Sequence, residues 1–154
     1  AAGAVEELLR EAGDDETTVS TRGRDGFSPY GQTEWSLTQQ ARFVSALGRG
    51  CLLDGDSTGF LLDLMANVVT DQRWGLGAVG RSARFKGGWG PAPDGRYTVR
   101  QVGILEYANT SRGVVVAIIA RPASGTFEAG KEAVTEVARW VERRIRRVPP
   151  PADC

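Results

Sequence analysis

The sequence predicts an α/β (α+β) fold, an antiparallel three-stranded meander with helices packed on it. Apolar residues recur at helical spacing in three segments of the first 70 residues and again after position 126. Between these parts lie three segments rich in β-branched and aromatic residues, joined by short turn sequences. The 154 residues are enough for a single domain, which we assign to residues 1–148, followed by a Pro-rich tail at 149–154.

Two helices and a loop are expected first. A first helix over the opening dozen residues should end at Gly13, because its apolar residues share one face: Val5, Leu8, Leu9 and Ala12. Residues 14–33 lack a sustained apolar period and predict a long surface loop. Ser36 opens a capping-box sequence, which predicts a second helix reaching Gly48.

A third helix is expected next. Asp56 or Ser57 can cap its start, and we expect it to end near Thr70. Four apolar residues should form its buried stripe: Leu61, Leu64, Met65 and Val68.

The second half of the chain predicts strands at 82–86, 97–107 and 113–121, with turns at 91–95 and 109–113. The third strand is a continuous apolar run, which indicates burial on both faces. A final helix begins near Thr126 and should pack across the sheet through one apolar face: Phe127, Val134, Val137, Ala138, Val141 and Ile145. Four arginines lie near its end: Arg143, Arg144, Arg146 and Arg147. Positive charge is stabilising at the C-terminal end of a helix dipole, so we expect a solvated helix end rather than a nucleic-acid site.

Composition excludes several functional classes. Lys and Arg number 19, as do Asp and Glu, so the formal net charge is zero and we expect no nucleic-acid partner. No apolar run approaches the roughly 20 residues that span a bilayer, so we expect no membrane span. The absence of histidine excludes Ser-His-Asp and Cys-His catalysis and an imidazole zinc site. We therefore expect no metal and no cofactor.

The two cysteines do not indicate a function, whereas the first residue bears on whether the chain is a fragment. Cys51 and Cys154 are too few and too widely separated to indicate a metal site, and a disulfide between them is neither indicated nor excluded. The chain begins at Ala1 without a methionine, from which we expect a processed or trimmed product or a fragment of a longer protein.

Lys86 is the residue most indicative of function. It is one of two lysines beside seventeen arginines, and it lies in Phe85-Lys86-Gly87-Gly88-Trp89-Gly90. An ammonium is a compact point charge that can hold a carboxylate, whereas a guanidinium is a wide planar fork. The flanking glycines let a ligand or another backbone approach the main chain. The sequence equally allows an ordinary exposed lysine followed by a glycine turn.

A second glycine motif, Gly75-Leu76-Gly77-Ala78-Val79-Gly80, matches the pattern of dinucleotide-binding folds. That function requires a strand before the motif and a helix after it. The following residues predict a strand instead, so a chance match in a chain with twenty glycines is the favoured interpretation.

The order of the predicted elements resembles the C-terminal part of the penicillin-recognising serine hydrolases, class A β-lactamases and their relatives. The resemblance rests on Gln72-Arg73-Trp74-Gly75, on Phe85-Lys86-Gly87-Gly88-Trp89 and on the passage from Val114 to Trp140. It implies the C-terminal part of the β-lactamase/transpeptidase-like fold. The implied activity is that of a serine acyl-enzyme hydrolase acting on a small-molecule or peptide-like carboxylate, with an extracytoplasmic location.

The resemblance also implies site residues. Lys86-Gly87-Gly88 stands where that family has Lys-Thr-Gly on the wall of its cleft. Lys86 would then support the substrate carboxylate electrostatically, and the backbone N–H of Trp89 would donate to the oxyanion. Arg100 is a weaker candidate for binding the same carboxylate.

Other motifs of that family are missing. Ala83 and Glu128 stand three residues before the two lysines, so there is no Ser-x-x-Lys nucleophile, and no Ser-Asp-Asn occurs. Glu34-Trp35-Ser36-Leu37-Thr38 faintly resembles the deacylating Glu-x-x-Leu-Asn loop, but a glutamate before a helix is also favoured by the dipole. Gly87 replaces a hydroxyl residue.

Two hypotheses fit these gaps. In the favoured one, the chain is the downstream piece of a larger hydrolase, and its partner is a missing N-terminal segment of the same fold that carries the serine. In the alternative, it is a stand-alone, non-catalytic relative that acts as a binding or interaction module. Its sheet edges would then be free and would invite self-association.

Overall fold

The computed structural model describes residues 2–23, 31–107, 110 and 113–145. The fold is the expected α/β arrangement of helices around a three-stranded antiparallel sheet. Its elements in chain order are α1 (Ala2–Glu11), α2 (Leu37–Gly48), α3 (Gly55–Ala66), β1 (Ala83–Pro91), β2 (Tyr97–Glu106), β3 (Gly113–Ala120) and α4 (Phe127–Glu142). Two short 3₁₀ turns, Thr70–Gln72 and Gly75–Ala78, connect α3 to β1.

The sheet has the order β1-β2-β3, and both of its faces are covered. One core cluster joins Phe85 and Leu105 of the sheet to Val134 of α4. The other joins Ile104 of the sheet to Leu47 of α2 and to α3. Because side chains alternate along a strand, neighbouring residues of β1 belong to opposite faces.

The first helix and its exit confirm the sequence prediction. Gly13 follows α1 with a φ of 80°, a left-handed conformation that glycine adopts without strain. The buried carboxylate of Asp14 accepts hydrogen bonds from the backbone N–H of Thr17 at 2.9 Å and from the indole of Trp35 at 3.0 Å. These bonds join the start of the 14–33 loop to its end, and positions 24–30 lie outside the described residues.

The third helix differs from its prediction at both ends. Its cap is Asp54, whose Oδ1 accepts from Ser57 N at 2.9 Å, rather than Asp56 or Ser57. It ends at Ala66, because Arg73 binds the Ala66 carbonyl at 3.0 Å and the chain turns away before Thr70. The predicted stripe is also partly wrong.

The error in the stripe concerns Leu64. Met65 is buried, but Leu64 is 55% exposed. The start of the helix at Gly55 and its packing on the sheet turn Leu64 to solvent, next to the exposed Phe60.

The first strand is longer than predicted, and this matters most for the site. It runs to Pro91 and includes all three glycines around Trp89, which the sequence placed beyond the strand end. Pairing with β2 holds them extended, with Gly87 opposite Gln101 and Gly88 opposite Arg100. The predicted turn follows, closed by a hydrogen bond from Ala92 N to Arg96 O at 2.8 Å.

The third strand and the last helix largely follow prediction. Val116 and Ile118 are buried as expected for a central run, but Ile119 is 37% exposed. Thr126 caps α4 by accepting from Ala129 N at 3.3 Å. Val137 was expected on the buried face but is 43% exposed, since the sheet contacts only the neighbouring strip of the helix.

Several expectations concern residues outside the described part of the chain. The turn at 109–113, Arg146, Arg147 and the tail at 149–154 belong to this group in whole or in part. Cys51 is disulfide-bonded, and the only other cysteine, Cys154, is not among the described residues. No helix in the described ranges has the length and apolar character needed to cross a bilayer.

Candidate carboxylate site at the edge of β1

Successive residues of β1 direct their backbone N–H and C=O groups alternately toward β2 and away from it. Ala92 N donates to Arg96 O and Glu106 N donates to Ser82 O at 3.0 Å, so the pairs 92/96 and 82/106 are hydrogen-bonded. Hydrogen-bonded and non-hydrogen-bonded pairs alternate in an antiparallel ladder. With the observed register, Gly87 and Trp89 therefore direct their N–H and C=O groups away from β2. No other described strand pairs with that edge.

The ammonium of Lys86 lies at this edge. Lys86 is exposed and shares the α2–α3 face of the sheet with Val102, its partner on β2. Its Nζ donates to the outward carbonyl of the next residue, Gly87. In the part of the chain that the structure describes, it forms no ion pair. The charge is thus available at the edge.

Arg100 lies on the same face, diagonally across the β1–β2 pair from Lys86. It stands opposite Gly88, and a Cβ built at Gly88 would lie 3.4 Å from Arg100 Cγ. Burial, and after it the positive charge of Arg121, lowers the pKa of the Arg100 guanidinium. The group stays protonated at neutral pH because a guanidinium is not deprotonated in proteins. Neither the guanidinium of Arg100 nor that of Arg121 has a hydrogen-bond acceptor or ion-pair partner among the described residues.

Arg84 shows the contrast on the same face of the same strand. Its Nε binds Glu106 Oε1 at 2.8 Å, and its Nη1 lies 3.5 Å from Asp63 Oδ1. These two carboxylates neutralise Arg84 and tie α3 to the sheet. The positive charges of this face without an acidic partner among the described residues are therefore those of Lys86 and of residues nearer the β1–β2 turn.

The opposite face of the same edge is aromatic. Trp89 stacks on Phe127 of α4 with 5.3 Å between ring centroids and 29° between ring planes. Trp74 meets Trp89 edge-on at 5.8 Å. A Cβ at Gly87 would lie 3.5 Å from the Trp89 ring and 3.6 Å from the Trp74 ring, which is ordinary contact. Packing therefore does not require the glycine.

The structure brings together the residues that the sequence singled out and separates the others. Lys86, Gly87, Gly88, Trp89 and Arg100 lie together in the middle of the β1–β2 pair. Glu34 is exposed before the Ser36 cap of α2 and forms no hydrogen bond in the described residues. In those same residues no three potential metal ligands cluster.

The glycine motif at 75–80 has a structural role. It forms a 3₁₀ turn that follows another 3₁₀ turn and precedes a strand, so the context for dinucleotide binding is absent from this described segment. The buried side chain of Gln101 holds it, accepting from Leu76 N at 2.8 Å and donating to Trp74 O at 2.9 Å. The sequence analysis missed Gln101, although a glutamine inside an apolar strand was a signal.

Comparison with known proteins identifies structures that share this fold. No family model and no curated protein sequence matches the chain. Solved structures do: a β-lactamase from Sphaerobacter thermophilus matches with a TM-score of 0.69 at 19% identity, over 97% of this chain and 56% of that one. The TLA-3 extended-spectrum β-lactamase matches with a TM-score of 0.76 at 14% identity, over 94% and 55%.

The fold is that of the C-terminal part of class A β-lactamases. A β-lactamase from Chitinophaga pinensis gives the same result, with a TM-score of 0.69, 16% identity and coverage of 94% and 55%. The chain spans little more than half the length of these β-lactamases. The resemblance expected from the sequence is thus confirmed for the fold.

Proposed function

We propose that this chain is the C-terminal part of a serine acyl-enzyme hydrolase of the β-lactamase/DD-peptidase type, in which it supplies the wall that Lys-Thr-Gly forms in that family. The observation that carries the proposal is the edge of β1. There an ammonium without an acidic partner in the described residues lies beside outward-facing backbone groups.

The proposed roles follow from the geometry. Lys86 and Arg100 are diagonal neighbours on one face, which in an antiparallel pair separates their Cα atoms by about 7–8 Å. Both long side chains can reach one carboxylate from that distance, and a charge-assisted hydrogen bond is roughly twice as strong as a neutral one. The stem of Arg100 lies over Gly88, where a Cβ would be 3.4 Å from Arg100 Cγ. The outward N–H of Trp89 would donate to an oxyanion.

The nucleophile would come from another segment. The chain contains no Ser-x-x-Lys, and it spans about half the length of the β-lactamases that it resembles. The proposed partner is therefore an N-terminal segment of the same fold, which contributes the serine. The alternative, a non-catalytic binding module, is favoured by one feature: both cations and the backbone edge belong to this chain, so carboxylate binding needs no other segment.

The first experiment tests carboxylate binding by the chain as it stands. We expect benzylpenicillin to raise the melting temperature without forming a covalent adduct, because binding to the native state alone stabilises it. The rise should be lost in Lys86→Met and in Arg100→Met. It should persist in Arg139→Met, which removes an exposed charge from α4. A rise that survives both site substitutions, or no rise at all, would refute the carboxylate site.

The second experiment separates hydrolase from binding module. The reading frame upstream of Ala1 should encode Ser-x-x-Lys, and the longer polypeptide should gain the mass of one acyl group from benzylpenicillin. An upstream frame without that motif contradicts the hydrolase proposal and supports the binding module.

A further inference from the structure

Four aromatic rings form a continuous surface beside the edge of β1, on the face opposite to Lys86. We call it the aromatic ledge: Trp74, Trp89, Tyr97 and Phe127. Phe127 is its centre, with ring centroids 5.3 Å from Trp89, 6.1 Å from Trp74 and 5.7 Å from Tyr97. Trp89 is nevertheless 41% exposed. The ledge therefore exposes part of the Trp89 ring to solvent, while its other three rings are partly buried.

The exposed ring is held in place rather than free. Stacking on Phe127 and the edge contact with Trp74 fix Trp89 from two sides, and its ring leans back over Gly87. An aromatic side chain that is already ordered loses little conformational entropy when a ligand stacks on it. The ring also lies beside the outward N–H and C=O of β1, so one ligand can reach both.

The charge of the ledge indicates what it accepts. One cation contacts it: Lys131 Nζ lies 4.8 Å from the Phe127 centroid and is paired with Glu128 at 2.6 Å. That ammonium is already neutralised, in contrast to Lys86 and Arg100 on the other face. The two faces of one edge therefore differ in chemistry: one carries Lys86 and Arg100, which have no acidic partner among the described residues, and the other is aromatic.

An extended ligand that pairs with this edge meets both faces in alternation. Its successive side groups point to opposite sides, as in any strand. We infer that the site recognises an extended, peptide-like ligand that carries a carboxylate on one unit and an aromatic group on the adjacent unit, which stacks on Trp89. The inference rests on the proposed carboxylate site and names the class of ligand that it takes.

Blocked tripeptides test this spacing directly, with dissociation constants measured by NMR titration of the indole N–H signals. Acetyl-Gly-Phe-Asp-amide should bind roughly tenfold more tightly than acetyl-Gly-Ala-Asp-amide, as expected for one added aromatic contact with its buried area. Acetyl-Phe-Gly-Asp-amide should lose this gain, because its ring then points to the cationic face. The gain should also vanish in Trp89→Leu. It should persist in Trp140→Leu, which removes a different exposed tryptophan, on α4.

The outcomes separate the two proposals. Acetyl-Gly-Phe-Asn-amide lacks the carboxylate and should bind at least tenfold more weakly than its Asp counterpart. If the carboxylate matters but Phe and Ala peptides bind equally, or if Trp89→Leu keeps the gain, the aromatic inference is wrong and the proposed function stands. If none of the peptides binds, both are refuted.

Discussion

Arg100 stands directly opposite Gly88 in the β1–β2 pair, and its side-chain stem passes 3.4 Å from where a Cβ at position 88 would be. The half-buried guanidinium has no acceptor among the described residues, and Arg121 adds to its positive field. Arginine is seldom buried without a partner. A positive charge is therefore available beside an edge of β1 with which no described strand pairs.

The first prediction concerns Gly88→Val. A single Cβ fits, but the two methyl groups of valine would meet the stem of Arg100 and displace it. We expect acetyl-Gly-Phe-Asp-amide to bind at least tenfold more weakly, measured by titration. The free energy of unfolding should change by less than about 1 kcal/mol, because valine suits a strand. The control is Gly90→Val on the same strand and face, where a Cβ meets nothing within 4 Å. Equal weakening in both variants would contradict the role of Arg100.

The second prediction contrasts two cations of β1. Arg84→Met should lower the free energy of unfolding by about 1–3 kcal/mol, because it leaves the half-buried Glu106 without its charged donor. Lys86→Met should leave stability nearly unchanged, since Lys86 forms no ion pair within the described ranges. Urea denaturation of both variants checks this. A loss of stability in Lys86→Met as large as that in Arg84→Met would mean that Lys86 is structural.

A third prediction concerns Gln101. Gln101→Leu should cost about 2–4 kcal/mol of stability, because the Leu76 N–H and the Trp74 carbonyl would both lose their partners. Gln72→Leu makes the same chemical change at a side chain with no hydrogen bond in the described structure, and it should cost little. Urea denaturation of the two variants gives the comparison. Equal costs would show that the bonds of Gln101 contribute nothing specific.

The fourth prediction is a pH dependence from Asp14. Burial raises its pKa, but hydrogen bonds from Thr17, Glu16 and Trp35 outweigh burial and the net pKa is lowered. A lowered pKa stabilises the fold above the unfolded value of about 3.9, and this contribution is lost as the pH falls through the folded pKa.

Asp14→Asn should therefore be about 1.5–3 kcal/mol less stable than the parent at pH 7, the usual range for hydrogen bonds to a charged group. The difference should shrink toward pH 2.5. Chemical denaturation at several pH values measures it, with Asp15→Asn at the exposed neighbour as the control. A difference that is constant with pH would contradict the assignment.

The fifth prediction concerns the outer edge of β3. With the same alternation, Val115, Ala117 and Ile119 direct their backbone groups away from β2, and no described strand pairs with them. Free edges promote association, so we expect the chain alone to self-associate with rising concentration in light scattering. Ala117→Pro removes one outward donor and should reduce the association, whereas Ala117→Ser should not. Unchanged association in the proline variant would contradict pairing through this edge.

The sequence was most informative where structure is local. The cap at Ser36, the start of α4 near Thr126 and the glycine at position 13 depend on local side chains or on a φ angle, and the structure has them where expected. The three strands and the α/β fold also followed from the pattern of residue types. Errors arose where packing decides: Leu64 and Val137 have the right period but face solvent.

The sequence alone was thus sufficient for the cap of α2, the presence of three strands and the unusual lysine, because these depend on neighbouring residues, whereas it gave the wrong cap for α3 and too short a first strand. The tertiary structure places Gly87, Gly88 and Gly90 in β1, because pairing with β2 holds them extended. It also decided that Arg84 is neutralised while Lys86 is not, because the carboxylates concerned lie on other elements. The candidate site depends on contacts between residues distant in sequence, and a single sequence does not specify those contacts.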